Sequence, residues 1–178
     1  EARTRDADAV LLALAAENVV KAEERSAVIS GLFERELEAL EVICDDVRWS
    51  AEHEGRTTFV ELLARCIMRD RRAERVDGLL GLVSSADEEW QRLAILDGIL
   101  RAREKGPTGK LAPIKLAAKP KRLSALTRLN FEPVAGRARE VVDNLAWPGK
   151  AGMPPETTPR ALTVSERALF DRGAEVYY

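Results

Sequence analysis

The chain has 178 residues, 46% hydrophobic, 33% charged and 5% aromatic, a globular composition long enough to bury about 70% of its unfolded surface. Its 28 basic and 30 acidic residues leave a net charge of -2, which excludes a uniformly basic nucleic-acid protein and an acidic disordered tail alike. No apolar run approaches the roughly 18 residues of a membrane span. The chain opens at Glu1 and is expected to be a segment of a longer protein.

From Asp6 to Lys105 apolar residues recur at spacings of three and four, the period of amphipathic helices, and strand alternation is absent. A first helix is expected from Asp6, whose carboxylate suits a helix N-terminus, through Val10, Leu11 and Leu14 to Asn18. Val28, Ile29, Leu32 and Phe33 mark a second. A third carries Leu37, Leu40, Ile43, Cys44 and Val47 and ends near a half-exposed Trp49. His53 is read as a solvated residue of the loop around Gly55. A fourth helix holds Phe59, Leu62, Leu63, Cys66 and Ile67 with Thr57 and Thr58 as caps. Val76, Leu79, Leu80 and Val83 mark a fifth that ends at Ser84 and Ser85, and Asp87 starts a sixth with Trp90, Leu93, Leu96, Ile99 and Leu100.

Short helices joined by short loops cannot bury their stripes alone and must stack on their neighbours. The expected fold is therefore all-α: a HEAT-like α-solenoid of antiparallel helix pairs, with an irregular bundle as the alternative. Gly106-Pro107-Thr108-Gly109 opens a connector with Pro113 and Pro120, followed by helices over Leu123–Leu129 and Pro133–Ala146. Gly149 to Pro159 is rich in Gly and Pro and reads as an extended linker, after which Thr163 begins a final helix. The expected domains are thus 1–147, a linker over 148–162, and a last helix over 163–178.

Cys44 and Cys66 fall on apolar helical stripes without a C-x-x-C spacing, so they read as small core residues. A disulfide between them requires an oxidising compartment and neighbouring helices. No G-x-S-x-G, H-E-x-x-H, phosphate-loop or dinucleotide motif is present, and no catalytic residue is expected in this segment. Adjacent carboxylates such as Asp45-Asp46 diverge by about 100° on a helix and read as a solvated face.

Charge is polarised along the chain: residues 1–50 carry six basic and twelve acidic side chains, and 101–128 carry nine basic and one acidic. Arg101, Arg103, Lys105, Lys110, Lys115, Lys119, Lys121 and Arg122 are the candidate binding residues, for a nucleic-acid backbone or as an electrostatic dock for an acidic partner surface, with a solvated loop as the alternative. A nucleic-acid backbone is disfavoured as that partner, because the stretch lacks interleaved aromatics and the chain lacks a basic excess. Met153, in the linker, is not expected to be a haem ligand.

The run Leu145-Ala146-Trp147-Pro148-Gly149-Lys150, the proline-rich linker, and Leu162-Thr163-Val164-Ser165-Glu166-Arg167-Ala168-Leu169-Phe170 leading to Gly173 and Tyr177 resemble a junction in large bacterial, planctomycete-type membrane-bound dehydrogenases. Glu89-Trp90-Gln91-Arg92-Leu93-Ala94-Ile95-Leu96-Asp97-Gly98-Ile99-Leu100 is similar to the same family. The resemblance spans roughly Phe59 to Tyr178 and implies a HEAT-like region between a sugar-dehydrogenase-like β-propeller and a c-type cytochrome. Gly173 and Tyr177 resemble the first helix of class I cytochromes c, so the resemblance places a C-x-x-C-H motif and haem c just downstream, with no cofactor or metal in this segment. It further implies a periplasmic, non-catalytic scaffold whose partners are its own neighbouring domains. The alternative is a stand-alone α-solenoid that binds protein or nucleic acid, as in proteins resembling HEAT-like DNA glycosylases.

Overall fold

The computed structural model describes residues 2–18, 21–106 and 109–151, together with positions 163, 165, 167 and 169. It divides into two compact units, Glu1–Trp147 and Pro148–Tyr178. Among the described residues the first unit is all-α in character: α1 (Ala2–Asn18), α2 (Ala22–Gly31), α3 (Glu36–Asp45), α4 (Glu54–Asp70), α5 (Ala73–Ser85), α6 (Glu89–Arg101), α7 (Leu123–Thr127) and α8 (Val134–Asn144). The order of packing is repeat-like. Helices α3, α5 and α7 pack in succession, as do α4, α6 and α8, and each odd-numbered helix also packs on the even-numbered helix that follows it. That interleaving is how short amphipathic helices share one core.

The core runs along the even-numbered series. Phe59, Leu63 and Ile67 of α4, Ile95 and Ile99 of α6, and Ala138 and Val141 of α8 are fully buried, each large side chain contributing about 1.5–3 kcal/mol. Helix α6 approaches α4 closely because residue 98 is glycine. A Cβ there would fall against the carbonyl oxygen of Glu61 and 2.7 Å from Ala64 Cβ.

Several sequence expectations are corrected by this packing. On α1 the buried residues are Leu12, Ala15 and Ala16, while Val10 and Leu14 are exposed. The helix is rotated so that Asp8 meets Arg35 at 2.8 and 3.0 Å and Leu11 meets Gly31. Phe33, expected on the second helix's stripe, lies beyond α2 and is exposed. Trp49 is wholly buried instead of half exposed. It ends a single 3-10 turn over Val47–Trp49, its ring stacked on Phe59 at 5.7 Å with the Arg56 guanidinium 5.6 Å away, a contact of cation–π type.

Thr57 and Thr58 lie inside α4, and the cap is exposed His53, whose Nδ1 accepts from the Gly55 N–H at 3.1 Å. Asp87 does not start α6; Glu88 is its N-cap and makes no side-chain cap hydrogen bond. The two-residue strands β1 (Ile114–Lys115) and β2 (Leu145–Ala146) pair in parallel, Ile114 opposite Leu145. The last helix of this unit therefore stops at Asn144, and Leu145–Ala146 are extended because their backbone groups are taken up by the connector, including Leu116 N–H to Ala146 O at 2.8 Å.

In the second unit, positions 165, 167 and 169 are helical, and the Arg167 N–H donates to the Thr163 carbonyl at 2.9 Å. Most of the expected linker and final helix, including Met153, Gly173 and Tyr177, lies outside the described residues. No helix among the described residues is long and apolar enough to cross a membrane.

The Gly98 contact sets an expectation that runs against helix propensity. Alanine normally stabilises a helix interior by about 1 kcal/mol over glycine, yet Gly98→Ala is expected to destabilise by about 1–3 kcal/mol, because α6 must move off α4. At Gly136 of α8 an added Cβ meets the movable Glu132 carboxylate, so Gly136→Ala is expected to leave stability unchanged or raise it. Urea unfolding of both variants checks the contrast.

Candidate functional site

The chemistry-bearing side chains of the first unit gather along α4, α6 and α8. One turn apart on α4 stand Glu61 and Arg65, and on α6 Asp97 and Arg101 have the same spacing. An i, i+4 pair of this polarity ordinarily closes on its own helix. Here the α4–α6 approach diverts it: Arg101 reaches across to Glu61 at 3.1 Å, and Asp97 takes Arg137 of α8 at 2.8 Å. Arg137 also binds Glu140 at 2.7 Å. Arg103, just past α6, donates to Asn144 Oδ1 at 2.7 Å and to the Leu100 carbonyl at 3.0 Å.

Asp97, Arg101, Arg103, Arg137 and Glu140 of this network line a groove of about 440 Å³ whose apolar wall is Leu100 and Leu111. Arg65 also lines it, and its Nε is buried without a hydrogen-bond partner. Glu61, held by Arg101 at the edge of this cluster, is partly buried, and burial raises its carboxyl above the ordinary value, with Asp97 adding to the rise and Arg101 opposing it.

Of the eight basic residues singled out from the sequence, Arg101 and Arg103 line this groove. Arg122 instead lies over Gly81 of α5, and its backbone N–H donates to Asp77 Oδ1 at 3.3 Å, anchoring the connector. Lys105, Lys110, Lys115, Lys119 and Lys121 are exposed. Arg65 and Arg137 were not legible as partners of this site. Each sits at a spacing that reads as an ordinary solvated pair, Glu61 with Arg65 and Arg137 with Glu140; the crossing of three helices gives Glu61 to Arg101 instead and adds Asp97 to the Arg137–Glu140 pair.

Cys44 and Cys66 are free thiols. Burial, reinforced by Asp45, Asp87 and Glu41, pushes the Cys44 thiol up to about 12, and burial also raises Cys66. A second groove of about 450 Å³ contains Cys66 between Phe33 and the Arg75–Glu36 pair, in which both side chains are largely buried.

No family model matches this chain, and neither the curated proteins nor the solved structures contain a significant match.

Two outcomes follow from these electrostatics. Arg101→Met removes the cation that opposes the rise at Glu61, so it is expected to cost about 1 kcal/mol at pH 7, a modest value because the Arg101 side chain is 65% exposed. The cost is an ionised Glu61 in the folded state. A raised carboxyl favours folding below its unfolded value and loses that contribution as pH rises, so the gap between variant and parent closes as pH falls below 4.5; urea midpoints measured against pH check it. For the thiols, labelling by a disulfide reagent at pH 8 is expected to be at least about 10-fold slower in the folded chain than in urea, since only thiolate reacts. Cys44 becomes reactive only as pH rises toward about 12.

Proposed function

We propose that this chain is a non-catalytic helical scaffold between a dehydrogenase-like domain and a c-type cytochrome in a periplasmic electron-transfer protein. The single observation that carries the reading is the boundary between compact units at Trp147 and Pro148, inside the Trp147-Pro148-Gly149-Lys150 run on which the sequence resemblance rests. A helical stack with one continuous core holds its ends at a set separation, which is what an electron-transfer spacer requires. The Gly/Pro-rich segment from Gly149 is then a tether that keeps the haem domain at high effective concentration without imposing one docked pose. On this reading the five exposed lysines of the connector steer an acidic surface of a neighbouring domain. The same lysines favour the second reading, a stand-alone solenoid that binds an acidic protein or a nucleic acid.

In the parent protein, removing Gly149 to Pro159 is expected to slow haem reduction at least about 10-fold by lowering effective concentration, while the solenoid's Tm stays unchanged. Stopped-flow haem absorbance reads this directly. A coding sequence with C-x-x-C-H within about ten residues of Tyr178 agrees with the cytochrome reading; a stop codon there, or reduction at an unaltered rate, favours the second.

A further inference from the structure

The groove between α4, α6 and α8 holds one cation more than it has counter-charges. Glu61 is engaged by Arg101, and Asp97 and Glu140 both engage Arg137. Arg103 has a neutral partner in Asn144. Four guanidiniums thus face three carboxylates, two of which share Arg137, so Arg103 and Arg65 both lack an ion pair among the described residues; Arg103 is held by Asn144, whereas the Nε of Arg65 is buried with no acceptor. A buried donor of a charged group left without an acceptor is destabilising, unless something else supplies the acceptor.

We propose that Arg65 is the anchor of a binding site for a small organic oxyanion, a free carboxylate or phosphate ester with a short hydrocarbon body. A guanidinium presents paired donors that match the two oxygens of a carboxylate or phosphate. The neighbouring arginines are already held in place by Glu61, Asp97, Glu140 and Asn144, so they contribute positive potential without having to be ordered by the ligand. Leu100 and Leu111 form the wall against which the hydrocarbon lies. The groove's volume of about 440 Å³ falls within the range of small-molecule sites, and the negative head group of either ligand offsets the surplus positive charge. This site is independent of the scaffold reading, since it needs no neighbouring domain.

The test is a titration of the full chain with acetate, valerate and inorganic phosphate at low ionic strength, read by the NMR signal of the Arg65 Nε–H. Saturable shifts with dissociation constants of order 1–10 mM are expected, with valerate several-fold tighter than acetate because its chain meets the leucine wall. Arg65→Gln is expected to weaken binding at least about 10-fold, followed on the Leu100 and Leu111 methyl signals, and Arg65→Lys to fall between the two. Arg128→Ala, on an exposed side chain outside the groove, is expected to bind as the parent does. Arg65→Gln is also expected to keep or raise Tm, because it removes the buried Nε–H that has no acceptor. The proposal is overturned by any of four results: no saturable shift up to about 50 mM, equal affinity for acetate and valerate, equal losses in Arg128→Ala and Arg65→Gln, or a Tm lowered by more than about 4 °C in Arg65→Gln, which marks a structural arginine.

Discussion

The contact between α4 and α6 at Gly98 is the constraint on which the rest of the first unit depends. With no Cβ at that position, the α6 backbone lies directly over the Glu61 carbonyl and Ala64, and the large side chains on either side, Phe59, Leu63, Ile95 and Ile99, close around it without solvent. The same approach decides the electrostatics. Two helix-surface charge pairs that would each close on their own helix are brought so near that Glu61 is taken by Arg101 and Asp97 by Arg137. A packing requirement at one glycine thereby leaves Arg65 without an ion pair among the described residues.

A second set of contacts keeps the earlier helices in register with this centre. Adjacent residues at the start of α6 grip the chain between α3 and α4: Trp90 Nε1 donates to the Ser50 carbonyl at 2.9 Å, and the almost wholly buried Gln91 donates to the Trp49 carbonyl at 3.2 Å. From α4, Arg56 donates to the Ala16 carbonyl near the end of α1 and to Ala51 at 3.1 Å, satisfying a carbonyl that the end of a helix otherwise leaves open. These are polar bonds from buried or half-buried side chains to main-chain oxygens, so they specify a conformation as well as stabilise it.

Helix period was legible where burial is one-sided and long. The stripe Val76, Leu79, Leu80 and Val83 is buried along α5 as its spacing requires, and Phe59, Leu63 and Ile67 behave the same way on α4. The period failed on α1, where more than one stripe is apolar: Val10 with Leu14 competes with Leu12, Ala15 and Ala16, and the Asp8–Arg35 pair, 27 positions apart in sequence, settles the rotation. Trp49 was misjudged for a related reason. A residue at a helix end has no periodic neighbours to reveal its side, and its burial comes from Phe59 on the next helix.

By itself the sequence determined the repeating helical period, the apolar residues available to a core and the concentration of positive charge after residue 100, because each is a property of neighbours along the chain. Only tertiary structure decided which charges pair, that Leu145–Ala146 leave the helix to join Ile114–Lys115, and that Arg65 lines a groove with its Nε lacking an acceptor among the described residues. Those outcomes depend on groups brought together from distant positions, and an ion pair or strand pairing across three helices has no local spacing that announces it.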